Sequence, residues 1–535
     1  MDVNDVLGTY FPNINGLHKE QGEAIDLLVK GANTLCLLPT GFGKSLIYQV
    51  TGLSLEKTTV VISPLVALMR QQQQQLQEKG LQAVNFSGMS SIDQFKALNR
   101  MSQDGMPRFL FTSPERLSND GFFEYVLSKR RDDVGLVVVD EVHCVSQWGE
   151  GFRPAYRNIP QSLDRVFGHD WPTVLCLTAT LNQAQQEEVM RDFRIDSVVR
   201  GENMRRPELL LDKRILGDGR ESRKDEELER ILDEHQGEKI LVFVHRKYGN
   251  KGTTRTLFDK YKDAYDGVAY FDSAMDDKEK DDVLAGFSDG SIRIVFATSA
   301  FGMGVDIPDI RVVVNYLVSE TVEQYYQEVG RAGRDRQRAW GYLLYTNQSR
   351  AGRIQLLGRS LCSRKGIESE WDDRRPKRGK TFGHVNYETM TDNQRTAFAL
   401  LVDYGVLEII AKGVQSIDCF QGTTDEGKAF LSELEKHSKT GLFGIIAKRS
   451  GRDVASLTNE IWRRCADGDI RLRRAPSRAI FFRSGKELTD EVVEQIVADQ
   501  DAKKRSRRKA FELFADGIED ESKSMQDLVD EALGF

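Results

Sequence analysis

The chain has 535 residues, 40% of them apolar and 29% charged, with 75 basic against 82 acidic side chains and a formal net charge of −7. That length exceeds what a single hydrophobic core organises and predicts three or four domains. The acidic balance excludes a polycation that coats nucleic acid wholesale, so any basic binding surface is a local patch.

The opening Met1-Asp-Val-Asn-Asp5 lacks the basic region and apolar stretch of a secretory leader. No apolar run approaches the roughly 20 residues that a membrane-spanning helix needs. A soluble, cytoplasmic protein is the expectation. Six cysteines (Cys36, Cys144, Cys176, Cys362, Cys419, Cys465) are scattered without a Cys-x-x-Cys pair. They are expected to be buried small hydrophobes, with neither disulfides nor a zinc site.

Over residues 1–205, β-branched apolar runs alternate with helical stretches: Thr34 to Leu38, Thr58 to Ile62, Phe109 to Thr112, Leu136 to Val139 and Val174 to Leu177. This pattern predicts an α/β domain whose parallel sheet carries helices on both faces. Polar motifs follow the runs and should gather at the carboxyl edge of the sheet. Gln21, just ahead of a helix, offers an amide donor and acceptor suited to an adenine edge.

After the first run comes Leu37-Leu-Pro-Thr-Gly-Phe-Gly-Lys-Ser45, leading into a helix. Strand, glycine-bearing loop, Lys-Ser and helix make a phosphate cradle of backbone N–H groups. Thr40, Gly41 and Gly43 would line it, Lys44 would reach the terminal phosphates, and the Ser45 hydroxyl would bind Mg2+. Leu38 stands where the pattern G-x-x-x-x-G-K-[ST] has its first glycine. The run Leu136 to Val139 ends in Asp140 and Glu141, expected to hold the metal ion and to orient or deprotonate the attacking water. The five glutamines Gln71 to Gln75 read as a polar helix face with no function of their own. Beyond Glu141, residues 143–156 are rich in aromatic and hydrogen-bonding groups, among them Trp148, Phe152, Arg153 and Tyr156.

Gln21, Pro39 to Ser45, Val61-Ile-Ser-Pro-Leu-Val-Ala-Leu-Met-Arg70, Thr112-Ser-Pro-Glu-Arg-Leu117, Asp140-Glu-Val-His143 and Thr178-Ala-Thr180 resemble, in order, the motifs of superfamily 2 helicases. The stretch Ser146-Gln-Trp-Gly-Glu-Gly-Phe-Arg-Pro-Ala-Tyr156 is similar to the aromatic-rich loop of RecQ-type DNA helicases in particular. Val142 stands where that family usually has alanine, and Glu150-Gly151 where it often has His-Asp. The resemblance implies two tandem RecA-like domains, ATP with Mg2+ as cofactors, and a loop coupling single-stranded DNA binding to hydrolysis. Trp148 and Phe152 are suited to stack on bases and Arg153 to meet a phosphate.

From Asn203-Met-Arg-Arg-Pro-Glu208, read as an extended connector, the alternation restarts over residues 206–346. Strands are expected at Ile240 to Val244, Gly267 to Tyr270, Ile292 to Ala297, Val312 to Asn315 and Gly341 to Tyr345. Gln324-Tyr-Tyr-Gln-Glu-Val-Gly-Arg-Ala-Gly-Arg-Asp335 resembles the Gln-x-x-Gly-Arg-x-x-Arg motif of the same helicases. Gln327, Arg331 and Arg334 would face the phosphate cradle across a cleft, the arginines as fingers stabilising charge in phosphoryl transfer. Closing that cleft would step the protein along a strand, and the resemblance implies 3′ to 5′ as the direction. Ser63, Pro64, Thr112, Arg116 and Thr298 would touch its backbone, carrying little sequence information.

Residues 347–535 depart from the family, which often continues with a four-cysteine zinc module. Here Cys362 and Cys419 stand more than fifty residues apart, and no zinc is predicted. Residues 347–439 read as a linker and helical region containing the basic run Arg374-Arg-Pro-Lys-Arg-Gly-Lys380. Residues 440–485 outline a winged helix: two helices, then a hairpin of Ile470 to Arg474 and Arg478 to Arg483 joined by Ala475-Pro-Ser477. Arg471 and Arg473 would grip duplex DNA and the hairpin would wedge its strands apart. Residues 486–535 form a helical tail, a basic run followed by an acidic one, whose charges pair with each other or with a protein partner.

An ATP-dependent DNA helicase acting on single-stranded and forked DNA is the first expectation. An RNA helicase of the same superfamily and an ATP-dependent DNA-binding sensor without processive unwinding are its rivals.

Overall fold

The structure, a computed structural model, describes residues 1–39, 41–145, 154–179, 181–201, 205–217, 221–244, 252–302, 307–358, 362–376 and 381–534. Seven strands, β1 (Thr34–Leu37), β2 (Thr58–Ile62), β3 (Ala83–Asn85), β4 (Phe109–Thr112), β5 (Val134–Val139), β6 (Thr173–Thr178) and β7 (Ser197–Arg200), form an all-parallel sheet in the order β3-β4-β2-β5-β6-β1-β7. Its central strands are buried on both faces, which is why they are unbroken apolar runs. The segments after β1, β2, β4, β5 and β6 all leave from the same carboxyl edge, as parallel pairing requires.

A second all-parallel sheet follows: β8 (Leu209–Ile215), β9 (Lys239–Phe243), β10 (Val268–Phe271), β11 (Ile294–Ala297), β12 (Ile310–Asn315) and β13 (Ala339–Tyr345), in the order β10-β11-β9-β12-β13-β8. The fold is thus the expected pair of RecA-like domains with a largely helical C-terminal region. β3, β7 and β8 are additions to the expected strands. β8 is an edge strand carrying Asp212, Lys213 and Arg214, so it lacked the apolar signature of its neighbours.

The C-terminal region corrects the hairpin. Five strands lie there among the described residues: β14 (Gly383–Val385), β15 (Leu407–Val414), β16 (Phe420–Gly422), β17 (Ile470–Leu472) and β18 (Arg478–Ser484). β17 and β18 do not pair with each other; β17 pairs with β16, and β18 lies between β14 and β15. One register runs through both: Val414 faces Arg478, Gln415 N donates to Ser477 O, Arg473 N donates to Cys419 O, and Phe420 faces Leu472. The segment 470–484 is therefore one bent strand against 407–422, with residues 475–477 at the bend rather than at a tip. Pro476, lacking an N–H, interrupts the ladder there and mimics a turn in the sequence. Because β14 to β16 come from residues 347–439 and β17 and β18 from 440–485, those two segments fold as one module.

The expected helix-turn-helix is present as Phe443–Ser450, the left-handed Gly451 (φ 67°) and Val454–Ala466. Its second helix, however, is packed against the first domain. Leu457, Ile461, Trp462 and Cys465 share one core with Phe95, Leu98 and Phe122. Phe95 stacks on Phe122 at 4.5 Å between ring centres, and Trp462 lies 5.3 Å from Phe122. Gly121 makes the approach possible, since a Cβ there would lie 1.9 Å from Lys412 O. The helix that would enter a DNA groove is used to dock the module.

The tail is a 30-residue helix, Asp490–Glu519, followed by Met525–Leu533. Its charges pair partly within the tail, Lys504 with Asp501, Arg508 with Glu512 and Lys523 with Glu531, and partly outside it, Arg507 with Glu320 (2.7 Å), Asp516 and Glu519 with Arg350, Asp490 with Arg364 and Asp530 with Arg205. No described helix is long and apolar enough to cross a membrane.

Candidate nucleotide site in the cleft between two sheets

The turn after β1 depends on glycine at two places, Gly41 (φ 81°) and Gly43 (φ 76°), before the helix Lys44–Leu55 begins. Thr40 lies outside the described residues. Gln21 is buried beneath the turn. Its Nε2 donates to Phe42 O (2.9 Å) and Gly43 O (3.3 Å), and its Oε1 accepts from His18 N (2.9 Å). Both ends of the amide are thus bonded to backbone, so Gln21 braces the loop. Lys44 Nζ donates to Leu38 O (3.2 Å).

Asp140 and Glu141 follow β5 directly. Asp140 Oδ2 accepts from Ser63 Oγ (3.3 Å) and Oδ1 from Glu141 N (3.0 Å). Glu141 adopts φ 51°, a left-handed conformation uncommon for a side chain of its kind. It pairs with His143 Nδ1 (3.1 Å), which also meets Thr178 Oγ1 (3.0 Å) at the end of β6. Tyr156 donates its hydroxyl to Asp140 O (2.9 Å), tying the end of the aromatic-rich stretch to the acidic strand end. Burial and the adjacent Glu141 carboxylate push the Asp140 pKa up, against Lys44. Burial also opposes ionisation of Glu141, but His143, Lys44 and Arg331 outweigh it and hold its pKa below the usual carboxylate range.

The second domain completes the site. The helix Val322–Val329 and the turn beyond it bring Gln327, Arg331 and Arg334 to a cavity of about 350 Å³ shared with Lys44, Ser45, Asp140 and Glu141. Burial and neighbouring Arg334 pull the Arg331 pKa down to about 9, leaving it cationic at neutral pH. Its Nε is buried without a hydrogen-bond partner among the described residues. Two carboxylates and three cations in a cavity of ligand size fit a magnesium–triphosphate group. Among the described residues no group of three or more His, Cys, Asp or Glu side chains is placed to hold a metal ion by itself.

Two contributions escaped the sequence. Gln71, Gln72 and Gln75 line the same cavity, and buried Gln72 accepts from Tyr48 Oη (3.1 Å) and Gln49 Nε2 (2.6 Å). The glutamine run is therefore part of the site wall, and only its unbroken repetition disguised which members face inward. Arg206, in the connector, donates to Gly330 O (2.7 Å) and Ala332 O (2.8 Å), fixing the turn that carries both arginines. A paired arginine next to proline was the only available signal.

The expected DNA contacts are dispersed. Trp148, Phe152 and Arg153 lie outside the described residues. Ser63 is buried and bonded to Asp140, so its hydroxyl serves the acidic pair. Arg116 forms a buried ion pair with Asp120, which also receives Arg478 of the C-terminal module (3.1 Å). Thr298 stands half-buried at the carboxyl edge of β11, its Oγ1 accepting from Ala300 N (3.3 Å). Arg471 and Arg473 are exposed, but on the bent ribbon: Arg471 faces Gln421 across it, and Arg473 Nε donates to Asp418 O (2.5 Å).

Family models match the chain twice: DEAD/DEAH box helicase over residues 18–189 and Helicase conserved C-terminal domain over residues 223–336. The chain is 33% identical over 334 residues to the ATP-dependent DNA helicase RecQ of Bacillus subtilis, covering 61% of this chain and 54% of that protein. It is 32% identical over 391 residues to the ATP-dependent DNA helicase Q-like 5 of Arabidopsis thaliana, covering 72% of this chain and 40% of that protein. The chain thus spans about half the length, or less, of these two relatives. In fold it is similar to the DEAD-box helicase Mss116 bound to ssRNA and UDP-BeF (TM-score 0.53, 14% identity, 69% of this chain and 85% of that one). It is also similar to the DUF1998 helicase MrfA bound to DNA (TM-score 0.52, 15% identity, 76% of this chain and 58% of that one). By its two core domains, the order of its motifs and its relatives, the chain belongs to the RecQ-type helicases of superfamily 2.

Proposed function

We propose that the protein is an ATP hydrolase that moves 3′ to 5′ on single-stranded DNA and unwinds duplexes ahead of it. The observation that carries this reading is the shared cavity, where Lys44, Ser45, Asp140 and Glu141 of one sheet meet Gln327, Arg331 and Arg334 of the other. Lys44, Ser45 and Asp140 would hold ATP with Mg2+, which supplies charge neutralisation at the phosphates. Glu141, kept ionised by His143, is placed to accept a proton from water. Arg331 and Arg334 bring positive charge from the opposite domain, so turnover requires both sheets in register. DNA, rather than RNA, is supported by the relatives named as DNA helicases and by the aromatic-rich stretch.

Phosphate release with single-stranded DNA or RNA of one sequence tests the proposal. DNA should raise the rate of the wild type by about tenfold or more, RNA should not, and Lys44→Ala should be silent with both. Equal stimulation by RNA would transfer the protein to the RNA helicases.

One observation favours a second reading, an ATP-dependent DNA clamp or sensor without processive unwinding. The helix-turn-helix is docked on the first domain and the anticipated wedge is a bent ribbon, so no described hairpin tip in residues 470–484 stands ready to split a duplex.

A further inference from the structure

The C-terminal module shares its core with the first domain, whereas the arginine-bearing turn belongs to the second. The helix Asp490–Glu519 joins these two bodies. Near its start, Val493 and Ile496 are buried, Ile496 in the module core, and near its end Phe511, Phe514, Ala515 and Ile518 sit in the core of the second domain. Residues 498–510 between them add nothing to either core and span about 20 Å at 1.5 Å per residue.

This polar span is held at particular points. Gln500 Oε1 accepts from Cys362 N (3.2 Å), and Asp499 receives the hydroxyl of Tyr404. Lys503 lines a cavity with Arg157 and Asn158 of the first domain and with Asp403 and Tyr404 of the module. Arg157 ends the short helix Pro154–Arg157, one residue after Tyr156, whose hydroxyl holds Asp140 O. One helical turn beyond Lys503, Arg507 pairs with Glu320 (2.7 Å).

Glu320 stands at the head of the arginine-bearing element. It is also approached by buried Arg353 (3.7 Å), which is fixed through Nε to Val318 O (2.9 Å). Glu320 N donates to Gln324 Oε1 (3.0 Å), Gln324 Nε2 donates to Glu328 Oε1 (2.9 Å), and Thr321 caps the helix. Glu328 is one of the two carboxylates whose charge bears on Arg331. An unbroken run of bonds therefore leads from Arg507 to the residue beside the fingers.

We propose that the tail helix is a cross-bridge that sets the finger arginines according to where the first domain and its docked module stand, with Arg507 as a positioning residue acting through Glu320. The inference rests on the cleft being the ATPase site. A helix does not shorten, so relative motion of the two bodies loads Arg507 and Lys503, which lie on one face four residues apart. An ordinary exposed ion pair would carry no such load, and its loss would leave turnover unchanged.

Arg507→Gln, Glu320→Gln, Arg507→Lys and the double Gln variant of the full chain test this. Each is read by phosphate release on saturating single-stranded DNA, by the KM for ATP, and by melting temperature to confirm folding. Both single Gln variants should lower DNA-stimulated kcat about fivefold or more with KM within about twofold of wild type. Arg507→Lys should recover part of the rate. The double variant should be no slower than Glu320→Gln alone, as for two residues acting through one contact. Wild-type kcat in a folded Arg507→Gln, or a double variant slower by the product of the single losses, overturns the proposal. A wild type without DNA-stimulated hydrolysis removes the ATPase motor reading and this inference together. A stimulated wild type with an indifferent Arg507→Gln removes the inference alone.

Discussion

Glu141, half-buried, and Lys412, buried, show how two charges are held in opposite ways. Glu141 sits in a left-handed backbone conformation and is surrounded by His143, Lys44 and Arg331, so its ionised form is favoured, as the proposed role of proton acceptor requires. Lys412, in the interface between the C-terminal module and the first domain, is paired with Glu124 yet so deeply buried that its pKa falls to about 8. Burial is the larger influence there and Glu124 opposes it. The folded protein thus holds this proton less tightly than the unfolded chain, whose lysines titrate near 10.4. Stability carried by Lys412 is lowest below pH 8 and rises as pH climbs from about 8 towards the unfolded value. Urea midpoints of wild type and Lys412→Met, compared at pH 7.5, 9 and 10, should show the wild type gaining on the variant. A constant difference across that range would mean that burial does not govern this lysine.

Elements whose chemistry repeats at the sheet edge were legible without coordinates. β1, β2, β4, β5 and β6 announced themselves because a strand buried on both faces can be made only of apolar residues. The polar groups that follow them had to share an edge once the sheet was parallel. Lys44, Ser45, Asp140 and Glu141 were therefore readable as one candidate site, and Arg331 and Arg334 joined it only through the resemblance of their motif to that of superfamily 2 helicases. The misreadings have local causes. β8 hides behind alternating charges at an edge, the glutamine run hides Gln72 among identical neighbours, and Pro476 turns a bent strand into an apparent hairpin. The docking of Val454–Ala466 on the first domain was not readable at all, because an amphipathic helix does not say what covers its apolar face. Trp462 is the center of that contact. Trp462→Ala should destabilise the protein by roughly 3–5 kcal/mol, measured by chemical denaturation, and should loosen the module from the first domain before the second domain unfolds. A single unchanged transition would show that the module stands independently of that seam.

At the scale of the whole molecule, the chain divides into two bodies that do not follow the order of its segments. The first domain carries residues 381–484 on its side, through the Phe95, Phe122 and Trp462 cluster, and the second domain carries the end of the tail. The candidate nucleotide cavity lies between the bodies, and the tail helix crosses from one to the other. Under the proposed function, closure of the cleft would move a docked module as well as two sheets, so that hydrolysis there could displace DNA elsewhere. Among the described residues, the C-terminal region is organised by apolar burial and by ion pairs between segments far apart in sequence. The most direct test is strand displacement on forked duplexes with a single-stranded arm of either polarity, comparing the wild type with Lys44→Ala in the presence of ATP and Mg2+. The account predicts displacement by the wild type from the arm entered 3′ to 5′ and none by the variant. Hydrolysis of ATP with both forks left intact would contradict it and leave the protein a DNA-responsive clamp.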